Sequence, residues 1–241
     1  MKAVILNSGI GSRLGEYTKN KPKCMVKIQN DITILQYQLR LLEEIGVNEV
    51  IITTGYQVEV LSEYADSVAG EIIITYVHNS DYLTTNYIKS MDLIEDTTDD
   101  ILLMHGDLVF EVEVLKQIAG YHKSCIVIDR GMELPEKDFK AKMDDDKVMA
   151  VGIHYFGPDC FTAQPLYKLL NADWKCWKQS IKTLCEEGNV KVYAEEALNR
   201  ITDRIEIIGL DAAGRLCSEI DNEEDLNKIR NMLRNGVDIH E

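Results

Sequence analysis

The stretch Leu6-Asn7-Ser8-Gly9-Ile10-Gly11-Ser12-Arg13-Leu14, followed by Thr18 and then Lys21-Pro22-Lys23, carries residue types suited to holding a chain of phosphates. The apolar run 2–6 reads as a strand, so the two glycines fall where that strand ends. A Gly-x-Gly loop there lets backbone N–H groups approach an anion closely, because no Cβ stands in the way. Arg13 in the loop and Lys23 after Pro22 set a cation on each side of it. The spacing is not the dinucleotide fingerprint, since Leu14 stands where a third glycine is required, and the Gly-Lys-Ser/Thr ending of a P-loop is missing. Two acidic positions complete the set. His105-Gly106-Asp107 ends an apolar strand over 101–105 and aims Asp107 into the crevice beyond it, where a carboxylate suits Mg²⁺. Glu219-Ile220-Asp221 ends the last strand-like piece ahead of a helix. Asp221 reads either as a second site carboxylate or as that helix's N-cap, a position for which Asn222 competes, with Glu224 lending capping-box character.

These residues need elements to bring them together. Residues 32–45 space Ile34, Leu35, Leu39, Leu42 and Ile45 as a helix, closed by Gly46. The run 50–54 reads as a buried strand stopped at Gly55, a helix follows over 58–67, a strand over 72–77, a short helix from about Asn86 and the strand 101–105. Strand and helix alternate with short connections, which predicts an α/β, three-layer, Rossmann-like sheet, mixed but mostly parallel, with helices on both faces. In such a sheet the ligand sits beyond the carboxyl ends of the strands. After residue 120 the pattern loosens. Strand-like pieces fall at 124–129, 139–143 and 147–156, with Asp144-Asp145-Asp146 as a turn. Helical stretches are expected over 164–186 and 193–202, strand-like pieces at 204–209 and 216–220, and a last helix from Asn222 to Arg234 with Leu226, Ile229 and Leu233 on one face. One domain over 1–241 is the expectation.

The formal net charge is -15, which argues against nonspecific nucleic-acid binding, because no neutralising basic surface is available. A small anionic substrate then needs a local cluster of cations or a metal. The six cysteines (Cys24, Cys125, Cys160, Cys176, Cys185, Cys217) include no C-x-x-C pair, and they read as core thiols of a cytoplasmic protein. No stretch approaches the ~20 apolar residues of a membrane span, and no signal-peptide core opens the chain. The C-terminal helix can pack on the domain or on a second copy, which leaves a homodimer open.

At Gly9, Gly11, Ser12, Arg13, Leu14, Thr18, Pro22 and Lys23 the chain resembles the signature of the sugar-nucleotidyltransferase superfamily, with Asn7-Ser8 in place of the usual two alanines and Glu16 where proline is common. The resemblance implies that Arg13 neutralises the departing pyrophosphate and that Lys23 bridges the α-phosphate and the incoming phosphate. It also implies that Asp107 and Asp221 share one Mg²⁺. The nucleotide would contact Leu6, Asn7, Ser8, Gly9, Gly11, Ser12, Gly55, Asn79 and Asn86. The chain looks closer still to short cytidylyltransferases acting on phosphocholine, aminoethylphosphonate or phosphoglutamine. The stretches 77–79, 85–87, 134–140, 164–169 and 193–198 carry that likeness. It implies CTP and a small phosphate or phosphonate acceptor as partners, with 1–120 as the nucleotide half and 121–241 as the acceptor half. Lys140 would be a further acceptor-phosphate contact, Glu196 a partner for a substrate amine or amide, and Tyr193 a contact beside it. Trp174, Trp177, Tyr155, Tyr167 and Tyr193 read either as part of a cage for a quaternary ammonium or as packing. His105 and His154 are not needed as bases, because a phosphate acceptor is already ionised. The competing readings are a sugar-1-phosphate nucleotidyltransferase using UTP or TTP, and a catalytically silent nucleotide-binding subunit.

Overall fold

The computed structural model describes residues 1–234, so positions 235–241 of the single unit expected over 1–241 lie outside the described residues. From the N-terminus, β1 (Lys2–Asn7) leads through two 3-10 turns, Ser12–Thr18 and Lys23–Met25. A small hairpin, β2 (Lys27–Gln29) and β3 (Ile32–Thr33), then leads into α1 (Ile34–Glu44). The alternation continues with β4 (Glu49–Thr54), α2 (Val58–Val68), β5 (Ile73–His78), α3 (Tyr87–Asp92) and β6 (Ile101–His105). The second half runs β7 (Leu108–Phe110), α4 (Val112–Gly120), β8 (Cys125–Asp129), β9 (Lys140–Asp144), β10 (Lys147–Gly152) and β11 (Cys160–Leu169). It ends with α5 (Asn171–Glu186), α6 (Ala194–Asn199), β12 (Ile208–Asp211), β13 (Cys217–Glu219) and α7 (Glu223–Arg234). Local chemistry sets several boundaries. Thr33 caps α1 by accepting from the Gln36 N–H at 3.1 Å, and Gly46, at φ 78°, takes the left-handed turn that closes it.

Among the described residues, nine strands form one sheet in the order β5-β4-β1-β6-β11-β8-β12-β10-β9. Ala3 and Ile5 of β1 face one apolar layer with Leu39 of α1, Leu61 of α2, Leu115 of α4 and Leu226 of α7. Val4 and Leu6 face the other, with Ile88 of α3, Trp174 and Trp177 of α5 and Ala197 of α6. A strand buried on both faces explains why β1 reads as an unbroken apolar run. The register also sets the site: Leu6 lies opposite Thr53 and His105, and Asn7 opposite Thr54. The carboxyl ends of β1, β4 and β6 are therefore level, and the loops that follow them open onto one crevice. No helix among the described residues is long and apolar enough to cross a membrane.

Two expectations need correction. The sheet is parallel only through β5, β4, β1 and β6 and again between β8 and β12; β11 runs antiparallel to β6 and β8, and β9 and β10 form a hairpin. "Mostly parallel" therefore holds for the first half alone. A parallel pair needs a covering crossover, whereas the turn at Asp145 (φ 53°) returns the chain directly. The far half also curls, since β9 pairs with the start of β11 through Lys140 opposite Thr162. The second correction concerns 164–186, which is a strand to Leu169 and a helix only from Asn171. Residues 162–169 are buried on both faces, so no period distinguishes strand from helix there. Pro165, which cannot donate to a ladder, sits where the pairing with β8 shifts register between Gln164 and Tyr167. Smaller shifts follow the same limits: β10 stops at Gly152, α6 spans Ala194–Asn199 and β12 begins only at Ile208.

Candidate active site

The loop after β1 is shaped by close approaches. Gly11 lies at φ 69°, and a Cβ there would fall 2.9 Å from the Cβ of Lys23, so glycine lets the lysine stem pack against the loop. Thr18 Oγ1 donates to the Gly11 carbonyl at 2.9 Å and holds the turn that carries Arg13. A Cβ on Gly55 would come within 2.5 Å of the Ser8 carbonyl, so the end of β4 can pass the end of β1 only with glycine. On Gly106 a Cβ would overlap the Asn7 side-chain oxygen at 1.7 Å. A Cβ on Gly9, by contrast, would meet nothing within 4 Å, which leaves that stretch of backbone open to a ligand.

Four charged side chains meet beneath this loop. Arg13 forks onto both oxygens of Asp221, at 2.9 and 2.8 Å. Lys23 Nζ lies 2.5 Å from Asp107 Oδ2 and 2.9 Å from Asp221 Oδ1. Burial pulls the Lys23 pKa down, but Asp107 and Asp221 outweigh it and hold the ammonium above its ordinary value. Burial likewise pushes the Asp107 carboxyl up, and Lys23 and His105 reverse that to a net lowering. The turn at Asp107 is clamped by Gln38 of α1, whose amide donates to the carbonyls of His105 and Leu108 at 2.9 and 2.8 Å. β13 pairs with β7, and the Ile220 N–H donates to the Asp107 carbonyl at 3.0 Å, which brings Asp221 alongside. The N-cap of α7 goes to Asn222, which accepts from the N–H groups of Glu224 and Asp225. The reciprocal carboxylate is Asp225, not Glu224; it accepts from the N–H groups of Asp221 and Asn222 at 3.0 and 3.1 Å. The Asp221 side chain is thereby free to face the cations.

Two adjoining cavities open here and share Leu6, Gly9, Tyr82 and Asp107. One is lined in addition by Ser8, Asn79, Asn86 and Tyr87; the other by Asn7, Gly11, Ser12, Arg13, Lys23 and Asp221. Gly55, an expected nucleotide contact, lines neither cavity and instead passes close to the Ser8 carbonyl. The Asn79 amide is already engaged with Thr85, Ser90 and the Asp81 N–H. Asn86 caps α3 through the Tyr87 N–H.

Residues 2–127 match the family model described as nucleotidyl transferase. The chain belongs to the nucleotidyl transferase family. It is 38% identical over 128 residues to the CMP-5'-(3-aminopropyl)phosphonate synthase of Streptomyces rubellomurinus, a match covering 53% of this chain and 20% of that protein. It is 31% identical over 158 residues to the CTP:phosphoglutamine cytidylyltransferase of Campylobacter jejuni, covering 62% of this chain and 61% of that protein. In both cases the chain spans less than two thirds of the relative's length. The solved structure of the CTP:phosphocholine cytidylyltransferase from Streptococcus pneumoniae shares the fold, with a TM-score of 0.78 at 22% identity over 96% of this chain and 98% of that one.

The expected acceptor residues of this nucleotidyl transferase are not gathered in the two cavities. Lys140 is buried, its Nζ 2.6 Å from the Pro135 carbonyl and 4.2 Å from the centre of the Phe156 ring. Burial lowers its pKa, against the pull of Asp138. Tyr193 packs its ring on Tyr87 and Phe139, at 5.9 and 5.1 Å between centroids, and remains exposed. Glu196 is exposed on α6. Its neighbour Glu195 is the buried one, accepting from the hydroxyls of Tyr87 and Tyr167. Trp174, Trp177 and Tyr167 are core side chains, which takes them out of any ammonium cage.

Sequence reasoning also passed over an ion pair under Asp107. His105 Nδ1 lies 2.9 Å from Glu219 Oε1. Burial pulls the His105 pKa down, yet Glu219, with Asp107 and Glu195 nearby, holds it at about 9. Glu219 in turn is pushed up to about 6 by burial and by the charge of Asp107, against the pull of His105. His105, Asp107 and Glu219 offer ligand atoms within 4.8 Å of one another. His105 and Glu219 are engaged with each other, however, so the pair acts as a brace between β6 and β13. A raised histidine pKa contributes stability that is complete below 6.5 and lost as pH rises through about 9. In metal-free buffer the urea midpoint should therefore fall between ~pH 7 and ~pH 9.5, and His105→Gln should flatten that fall. A variant with the wild-type slope would remove the histidine from the account.

The carboxylates suit a hard divalent cation. Asp107 and Asp221 supply oxygens that converge on the Lys23 ammonium, and the buried Asp107 Oδ1 has no hydrogen-bond partner among the described residues.

Proposed function

We propose that the protein is a Mg²⁺-dependent cytidylyltransferase that transfers CMP from CTP to a small phosphorylated or phosphonylated acceptor and releases pyrophosphate. The observation that carries this reading is the convergence of Arg13, Lys23, Asp107 and Asp221 beside a glycine loop whose backbone is open at Gly9. The cytidine is read into the cavity lined by Leu6, Ser8, Gly9, Asn79 and Asn86, and the triphosphate into the one lined by Gly11, Ser12, Arg13 and Lys23. Asp107 and Asp221 would hold Mg²⁺, which supplies charge neutralisation at the α-phosphate when bound. CTP and a phosphonate or phosphate head group are inferred from the two relatives, one named for a CMP-linked phosphonate and the other for CTP and phosphoglutamine.

The acceptor oxygen attacks the α-phosphorus in line as the bond to pyrophosphate breaks. A phosphate monoester has its second pKa near ~6, so the nucleophile is ionised at neutral pH and the chain need supply no base. What it supplies is alignment and positive charge: Lys23 between the α-phosphate and the acceptor phosphate, and Arg13 on the departing pyrophosphate. The acceptor half beyond residue 120 is assigned the head group. Tyr193 and Glu196 are exposed toward solvent and available for it, whereas Lys140 can join only after leaving the Pro135 carbonyl.

Pyrophosphate release tests the reading, with Mg²⁺ and each of ATP, CTP, GTP, UTP and TTP against a panel of small phosphates, sugar phosphates and phosphonates. Release confined to CTP and a head group of this class is expected. Release only with UTP or TTP and a sugar phosphate would overturn the acceptor and base assignment. Silence across the panel, with nucleotide binding retained, would overturn the catalytic reading.

A further inference from the structure

The two carboxylates assigned to the metal are already neutralised by this chain's own cations. Lys23 Nζ bonds Asp107 Oδ2 and Asp221 Oδ1 at once, and Arg13 takes both oxygens of Asp221. Of the oxygens on these two side chains, Asp107 Oδ1 alone has neither a hydrogen-bond nor an ion-pair partner among the described residues, and it is buried. The lysine is held in this place by its surroundings. Its side chain is only 14% exposed, its stem packs against the bare backbone of Gly11, and the turn it opens follows directly on Pro22. Arg13, at 69% exposure, is by comparison a free arm.

A divalent cation shared by Asp107 and Asp221 must contend with an ammonium lying between them. We propose that Lys23 is a latch on the metal site, and that the nucleotide triphosphate is what opens it. The phosphate oxygens of an arriving nucleotide draw Lys23 and Arg13 away from the carboxylates, and the freed carboxylates receive the cation that the triphosphate carries. Binding is then ordered, with metal entering together with nucleotide and not ahead of it, and the two ligands are reciprocally coupled. The arrangement answers a problem set by composition. In a chain of formal charge -15 an unguarded pair of carboxylates would gather divalent cations without substrate. The inference rests on the proposed assignment of Asp107 and Asp221 to the metal, and goes beyond it in stating when that metal can bind.

The test is Mn²⁺ binding to the full chain without nucleotide, followed by the electron paramagnetic resonance of the free ion. Lys23→Met, which keeps the length of the stem and removes the charge, should bind Mn²⁺ at least about tenfold more tightly than the wild type, within the usual range of coupling factors. Arg13→Ala should gain less, because Arg13 touches Asp221 alone. Equal affinity in wild type and Lys23→Met overturns the latch. If the gain appears but survives Asp107→Asn in the same chain, the carboxylate assignment fails instead, and pyrophosphate release by the wild type judges the proposed function independently. A second measurement needs no variant. The wild-type unfolding temperature should barely respond to Mn²⁺ alone and rise with Mn²⁺ plus CTP. An equal rise with Mn²⁺ alone overturns the latch.

Discussion

Arg13→Ala is expected to lower pyrophosphate release by about 10³-fold, the scale seen when a single arginine or oxyanion donor is removed from a charge-stabilising site. The group that leaves carries most of the developing negative charge, and Arg13 is the cation with the freedom to follow it. Its side chain is 69% exposed and anchored only through Asp221. An exposed ion pair of this kind contributes little to stability, about 0–1 kcal/mol. Turnover and stability should therefore separate, with a large loss of kcat at nearly unchanged urea midpoint. Arg13→Lys should recover only part of the rate, because an ammonium cannot reproduce the two-pronged contact the guanidinium makes. Near-normal turnover in Arg13→Ala would sink the assignment of the loop to phosphate chemistry.

The parts of this site that can be read from the chain are those whose chemistry is local. A strand, two glycines and an arginine must be neighbours in sequence to hold a phosphate, so the loop announces itself between Leu6 and Leu14. The parallel half of the sheet is legible for a similar reason, since each strand there is a short apolar run separated from the next by an amphipathic helix. Where the chain departs from that rule, the reading fails in a physically specific way. Residues 162–169 of β11 are buried on both faces, which erases the two-residue period that separates a strand from a buried helix.

Pairing across long separations is the other blind spot. His105 meets Glu219 across 114 positions, and Tyr87 meets Glu195 across 108. No spacing argument reaches that far, and each residue alone reads as an ordinary polar side chain. The carboxylates at 195 and 196 show the cost. Helical geometry puts neighbours roughly 100° apart, so the two need not share a face, and the tyrosines that receive Glu195 are visible only once α3, β11 and α6 are packed. The capping of α7 has the same character on a smaller scale. The three-residue spacing of a capping box gives Glu224 if Asp221 caps and Asp225 if Asn222 caps, and only the packed structure shows that Asn222 does.

Asp107→Asn should abolish measurable turnover, by 10³-fold or more on the scale of lost charge-stabilising groups, while costing the protein only a small part of its stability. The amide keeps the shape of the carboxylate and removes its charge. Catalysis loses one of the two oxygen donors proposed for Mg²⁺ and the main partner that positions Lys23. Stability is argued from the other side of the residue. The carboxylate is buried, one of its oxygens has no partner among the described residues, and its charge adds to burial in pushing the neighbouring Glu219 pKa up to about 6. Removing that charge relieves Glu219 and leaves Lys23 paired with Asp221 at 2.9 Å. Lys23 and His105 lose the carboxylate that they hold below its ordinary pKa, so stability falls, but by far less than turnover. The decisive comparison is the urea midpoint of Asp107→Asn against wild type in metal-free buffer. A stability lowered by the several kcal/mol typical of a broken buried ion pair would mean that Asp107 serves the fold through Lys23, and the loss of turnover would then say nothing about metal.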